Sequence, residues 1–194
     1  INDDLLAEAG TVSDQKEVYS PAFESNIVRI PHQQREIQIT LQVSNYSMPH
    51  GGPFHVLLLG DESNIVRESN LSAYIEMILI GILLFSAFYY LGLFRLWPDD
   101  ASAAYFGLFC LVVAFRLFIT GERIGFNFFG DWLTAFRLDI LTIHWIIPLF
   151  FLFELKTWPQ RLSKRLAYGL VAFSLVNSVI VLLSPATVFI SILP

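Results

Sequence analysis

The sequence predicts an all-α membrane bundle of four full spans and the start of a fifth, preceded by part of a β-sandwich. Three observations predict it. Hydrophobic residues make up 55% of the 194 and charged ones only 15%, where a soluble domain carries about a quarter charged. From Ser72 onward the chain is a series of apolar runs near the roughly 20 residues that a spanning helix needs. Before that, apolar and polar residues alternate with a period of two, the pattern of a strand with one wet face.

The charge follows the same division. Residues 1–70 hold four Lys/Arg against ten Asp/Glu, a net −6, and residues 71–194 hold eight against seven, a net +1. The front is an acidic, water-facing module and the rest a membrane module. No basic patch exists in the front, so nucleic acid is not an expected partner, whereas the lipid bilayer is. The lone cysteine, Cys110, cannot form an internal disulfide and reads as a small core residue.

Residues 1–25 are polar and poorly patterned, and are expected to be an incomplete or poorly structured segment. Strand signals begin with NIVRI at 26–30, stopped by Pro31. In REIQITLQVSN, Ile37, Ile39, Leu41 and Val43 fall on one side and Glu36, Gln38, Thr40 and Gln42 on the other. SMPHGG is turn chemistry, and PFHVLLLG is a further strand closed by Gly60. Three strands do not make a stable sandwich by themselves. Residues 26–70 therefore read as its C-terminal strands, with 61–70 a short connection to the membrane.

The expected spans are about 72–94, 101–120, 133–153 and 166–184, with a fifth broken off from 187. The joining segments are short, and Asp100 is a candidate N-cap for the second helix. Arg95, Lys156, Arg161, Lys164 and Arg165 gather on one side, and Arg67 and Arg123 on the other. The richer side should be cytoplasmic, which places the strand module outside. Trp97 and Trp158 then fall at the inner interface and Trp132 at the outer one. The absence of a starting Met and the eight-residue apolar tail TVFISILP suggest an excerpt of a longer protein.

Arg116 stands four residues before Thr120, roughly 6–8 Å below the outer end of its helix. It could snorkel outward, but side chains lean toward the N-terminus of their helix, here toward the membrane centre. A partner at equal depth is the alternative. Glu76 and Asp139 fall within about a turn of that depth, with Arg137 close by. A cluster of Glu76, Arg116, Arg137 and Asp139, rimmed by Glu122 and Arg123, is expected either as a clamp that fixes helix order or as a ligand-coupling switch. Pro148 cannot donate to the carbonyl of His144 and should kink the third helix. A hinge beside the titratable His144 and a plain kink with a packed His both fit; the plain kink is the simpler.

Ala103, Gly107, Cys110 and Ala114 form a close-packing stripe, read as structural. His32, His50 and His55 lack metal-ligand spacing, so no metal is expected. No nucleophile elbow, P-loop, G-x-G-x-x-G or paired-carboxylate motif is present, and Asp99–Asp100 reads as capping. Neither an enzyme nor a cofactor is expected.

The stretch YFGLFCLVVAFRLFITGER, Tyr105 to Arg123, resembles the second transmembrane helix of the bacterial seven-transmembrane receptors with diverse intracellular signalling modules. RIPHQQREIQITLQVSNYSMPHGGPFHVLLLG resembles the end of the jelly-roll sensor domain that precedes the bundle in one branch of that family. The resemblance implies a receptor of the bacterial inner membrane. Its external jelly roll would bind a small molecule, with carbohydrate one class. Its helices would pass the signal to a cytoplasmic kinase, diguanylate cyclase or phosphatase module, and a homodimer is among the assemblies expected. It supplies no ligand residues to carry over. The competing expectations are a transporter or channel segment and a purely structural membrane anchor. Charges near one face and the lack of a visible repeat count against transport.

Overall fold

The computed structural model describes residues 5–21, 26–30, 39–46, 58–121 and 132–184, without the side chain of Trp132. They fall into two compact units, divided between Leu71 and Ser72.

In the first unit, an antiparallel bridge joins Thr11 and Ser20 through both backbone bonds, at 2.8 and 3.2 Å. Gly10 enters it at φ 68°, a conformation that costs a glycine little. Ser13 Oγ accepts from the Gln15 amide, and Val18 and Tyr19 donate back to the Gln15 carbonyl, closing the turn. Residues 39–46 dock on this turn. The Tyr46 hydroxyl donates to the Asp14 carbonyl, Ser44 Oγ accepts from the Ser13 amide, and the Tyr19 and Tyr46 rings meet edge to face at 5.4 Å.

The expected strands are not seen among the described residues. Residues 26–30, 39–46 and 58–60 carry no ladder. Ile39, Leu41 and Val43 are all about half exposed, so the dry side of the alternation is not dry. The reason is physical: a period of two becomes a half-buried strand only where neighbouring strands supply bonds and cover one face. The remainder of the predicted strands lies outside the described residues.

Among the described residues four helices follow: α1 (Glu62–Leu96), α2 (Ala101–Thr120), α3 (Trp132–Thr157) and α4 (Lys164–Leu183). Each is long and apolar enough to cross a membrane, with window hydropathies of 2.2, 2.0, 1.8 and 2.2. Three agree with the expected spans to within a few residues. The first does not, because the helix begins ten residues early and absorbs the expected connection. The cause is local. The Asp61 carbonyl accepts from the amides of Asn64 and Ile65, the Asp61 carboxylate takes the Ser63 hydroxyl, and Glu62 sits in the first turn. No Pro or Gly interrupts the helix until Gly81. At 1.5 Å per residue α1 is about 52 Å long, well beyond the roughly 30 Å hydrocarbon core. The expected fifth span lies outside the described residues.

Three of the helices, α1, α3 and α4, end where proline comes next: Trp97 before Pro98, Trp158 before Pro159, Ser184 before Pro185. Asp100 caps α2 as expected. Its carboxylate accepts from the Ser102 amide at 3.0 Å and the Ser102 hydroxyl at 2.5 Å, which lowers its pKa from the ordinary 3.8.

Two seams hold the bundle, α2 against α3 and α3 against α4. The small stripe on α2 is buried throughout, at Ala103, Gly107, Cys110 and Ala114. At Gly107 it receives α1, since a Cβ there would stand 2.8 Å from Leu91 Cγ and 3.1 Å from the Ala87 carbonyl. The hydrophobic effect gives helices little reason to associate in lipid, so close backbone approach and polar contacts carry more of the association. Tyr90 of α1 meets Phe106 of α2 at 4.6 Å, Phe106 meets Phe153 of α3 at 5.1 Å, and Phe109 meets Phe150 at 5.8 Å.

Candidate functional site: charges and a proline between the helices

Arg116 of α2 and Asp139 of α3 form an ion pair. The same Arg116 Nη1 donates to the Asp139 backbone carbonyl at 3.1 Å and to Thr142 Oγ1 at 3.2 Å. Thr142 Oγ1 in turn donates to the Asp139 carbonyl at 2.6 Å and is buried. Both charged side chains are largely covered, at 28% and 18% exposure. The direction of reach decides between the two expectations for Arg116. Counted along the helices, Asp139 and Thr142 lie roughly 10 and 15 Å into α3 and Arg116 about 6 Å from the end of α2. The guanidinium therefore reaches deeper than its own Cα, as the N-terminal lean of helical side chains requires, and does not snorkel out.

Neutralisation explains why the pair exists. A lone charge at mid-bilayer costs about 2.5–3.5 kcal/mol on insertion scales, and a charge-assisted hydrogen bond to a carboxylate offsets much of it. Thr142 sits one turn after Asp139, where its hydroxyl accepts from Arg116 and donates to the Asp139 carbonyl.

Two other expected members make contacts beside this pair. Arg137 Nη2 donates to the Ser184 carbonyl at 3.0 Å, placing a cation at the C-terminus of α4, where the helix dipole favours it. Glu76 of α1 lies against Gly121, the C-cap of α2, so closely that a Cβ at 121 would overlap its carboxylate. Glu122 and Arg123 lie outside the described residues, as do His32, His50 and His55. Among the described residues no group of three His, Cys, Asp or Glu could hold a metal.

His144 points along its own helix, its Nδ1–H donating to the Ile140 carbonyl at 2.8 Å. The consequential atom of this residue is its backbone oxygen. Pro148 is fully buried inside α3 and has no N–H to return to that oxygen. Ser174 of α4 supplies the missing donor, its hydroxyl 2.6 Å from the His144 carbonyl. Ser178 donates to the Ser174 carbonyl at 2.7 Å and accepts from Trp145 Nε1 at 3.1 Å. Ser174 and Ser178 are buried. Sequence reasoning passed over Thr142, Trp145, Ser174, Ser178 and the Ser184 carbonyl. The available signal was a pair of serines one turn apart in a mostly apolar helix.

A family model described as 7TM diverse intracellular signalling matches residues 72–194. The chain belongs to this family. The matched region contains α2, α3, α4 and most of α1, and so every interhelical contact described above. No curated protein and no solved structure matches the chain. The 7TM diverse intracellular signalling family links a bundle of this kind to signalling inside the cell, which together with the spans gives a multi-pass membrane protein and points to a receptor or sensor role. The Arg116–Asp139 pair and the braced proline are then features of a signalling bundle.

Proposed function

We propose that the chain is the sensing and membrane part of a signal-transducing receptor in a bacterial inner membrane. The single observation that carries this reading is the match of residues 72–194 to a family defined by intracellular signalling. The acidic front would lie outside, because the basic loop residues gather on the opposite side. It would be the end of a jelly-roll β-sandwich that takes a small molecule such as a carbohydrate. The output would be a kinase, diguanylate cyclase or phosphatase module in the cytoplasm, the chain itself being no enzyme, and a homodimer would be the signalling unit.

Ligand state would act on α1, which is continuous from Glu62 to Leu96. Its apolar window is only 6% buried, against 28% in α2 and α3, so it is held by few contacts and can shift. A shift of α1 at Gly107 and Gly121 would bias the buried charges between two pairings. The test compares the full-length protein with a version lacking residues 1–60 in cell membranes, reading cyclic di-GMP and phosphotransfer. A changed output at equal membrane abundance supports the receptor. Equal outputs overturn it.

A further inference from the structure

Resting on the receptor reading only for its purpose, we infer that α3 is two mechanical parts joined at Pro148: an outer half fixed in a polar frame, and an inner arm free to swing. The distribution of polar contacts along α3 carries this. Among the described residues, every hydrogen bond or ion pair from α3 to another helix starts at or before Trp145: Arg137 to Ser184, Asp139 and Thr142 with Arg116, the His144 carbonyl with Ser174, and Trp145 with Ser178. Beyond Pro148 the contacts are of another kind. Phe150 and Phe153 meet Phe109 and Phe106, and Leu149 and Leu155 are buried. The one hydroxyl there, on Thr157, donates to Phe153 of its own helix.

In water this difference would matter little, since burying the aromatic half would hold it. In a bilayer lipid tails replace phenylalanine neighbours at small cost, while a buried carboxylate or carbonyl has no substitute partner. The outer half is therefore expensive to move and the inner half is not. The boundary between them is the residue that removes a backbone bond. Ser174 makes the pivot specific: it holds the His144 oxygen to α4, so bending occurs below a fixed point. The arm, residues 149–157, ends at Trp158 and the loop around which Lys156, Arg161, Lys164 and Arg165 gather. Its motion would be delivered to that loop while the Arg116–Asp139 pair stays closed.

The test is pulsed spin-label distance measurement on the full chain in lipid nanodiscs, in a Cys110→Ala background. One label pair, Asp99→Cys with Lys156→Cys, reports the arm. A second, Ile143→Cys with Leu183→Cys, reports the frame. The expected result is a broad arm distribution beside a narrow frame distribution. Pro148→Ala, which restores the amide, should collapse the arm distribution to one narrow peak. Ser174→Ala, which frees the pivot, should broaden it further. A narrow arm in the unaltered protein, equal breadth in both pairs, or an arm indifferent to both substitutions overturns the inference. A rigid arm would leave the receptor reading standing, and a mobile arm with an output indifferent to residues 1–60 would leave only the arm.

Discussion

Ser174 donates its hydroxyl hydrogen to the carbonyl of His144 at 2.6 Å, the oxygen that Pro148 leaves without a backbone donor. The two residues stand on different helices, so a gap in the hydrogen bonding of α3 is closed by α4. Proline is tolerated in membrane helices on this condition, that something re-satisfies the freed carbonyl. The arrangement makes the residues at positions 148 and 174 energetically dependent on each other.

Ser174→Ala should therefore cost about 1–3 kcal/mol, the penalty of a buried acceptor left unmade. In a Pro148→Ala background the returning amide takes the His144 carbonyl, and the same substitution should cost well under half as much. Reversible unfolding in bicelles checks the cycle. Equal costs in the two backgrounds would mean that the serine packs but does not brace.

Arg116 and Asp139 should show the same interdependence with a larger amplitude. Arg116→Ala leaves a carboxylate between helices within the bundle, and Asp139→Ala leaves a guanidinium there. Each should destabilise by about 3–5 kcal/mol, and the double variant by clearly less than the two together, because neither orphan charge remains. Additive losses would show that the pair contributes nothing as a pair.

How much of this was legible in the sequence depended on what lipid forbids. Length and hydropathy located α2, α3 and α4 to within a few residues, since little but a helix suits a run of that kind. The Arg116–Asp139 pair was legible for the same reason: an embedded cation demands an acid at its depth. The bond from Arg137 to the Ser184 carbonyl was not legible, because counting depth along helices does not reveal the carbonyl at the end of α4. Ser174 was hidden, since a serine in an apolar helix can bond its own turn as well as a neighbour. The start of α1 was misjudged because 61–70 is polar. Polarity excludes it from lipid but not from a helix, and the Asp61 carbonyl already begins one. The strands are a separate matter: much of the predicted stretch lies outside the described residues, and alternation describes what a partner strand could bury, not whether one is present.

Gly107 should tolerate no side chain while α1 keeps its place. An alanine Cβ would stand 2.8 Å from Leu91 Cγ, which can yield, and 3.1 Å from the Ala87 carbonyl, which belongs to a helix backbone. Gly107→Ala should cost about 1–3 kcal/mol by overpacking. Adding Leu91→Ala removes only the first clash, so it should recover part of the loss and not all. Full recovery would place the whole constraint on Leu91, and no loss would mean that α1 moves freely away from α2.

Asp100 offers a prediction in pH. The Ser102 hydroxyl and amide both donate to its carboxylate and lower its pKa in the folded chain. The sign follows from which state holds the proton more tightly. The unfolded chain protonates first, at about the ordinary 3.8, so the cap's contribution is complete above that value. It declines as the pH falls below it and is gone once the pH has passed through the lower folded value. Asp100→Ala should lower the unfolding midpoint at neutral pH and also flatten the acid limb of the stability curve. Asp100→Asn keeps an oxygen for the Ser102 amide, so it should preserve most of the neutral-pH midpoint yet still flatten the acid limb. If Asp100→Asn retains the wild-type acid limb, the carboxylate is not the group that titrates at the start of α2.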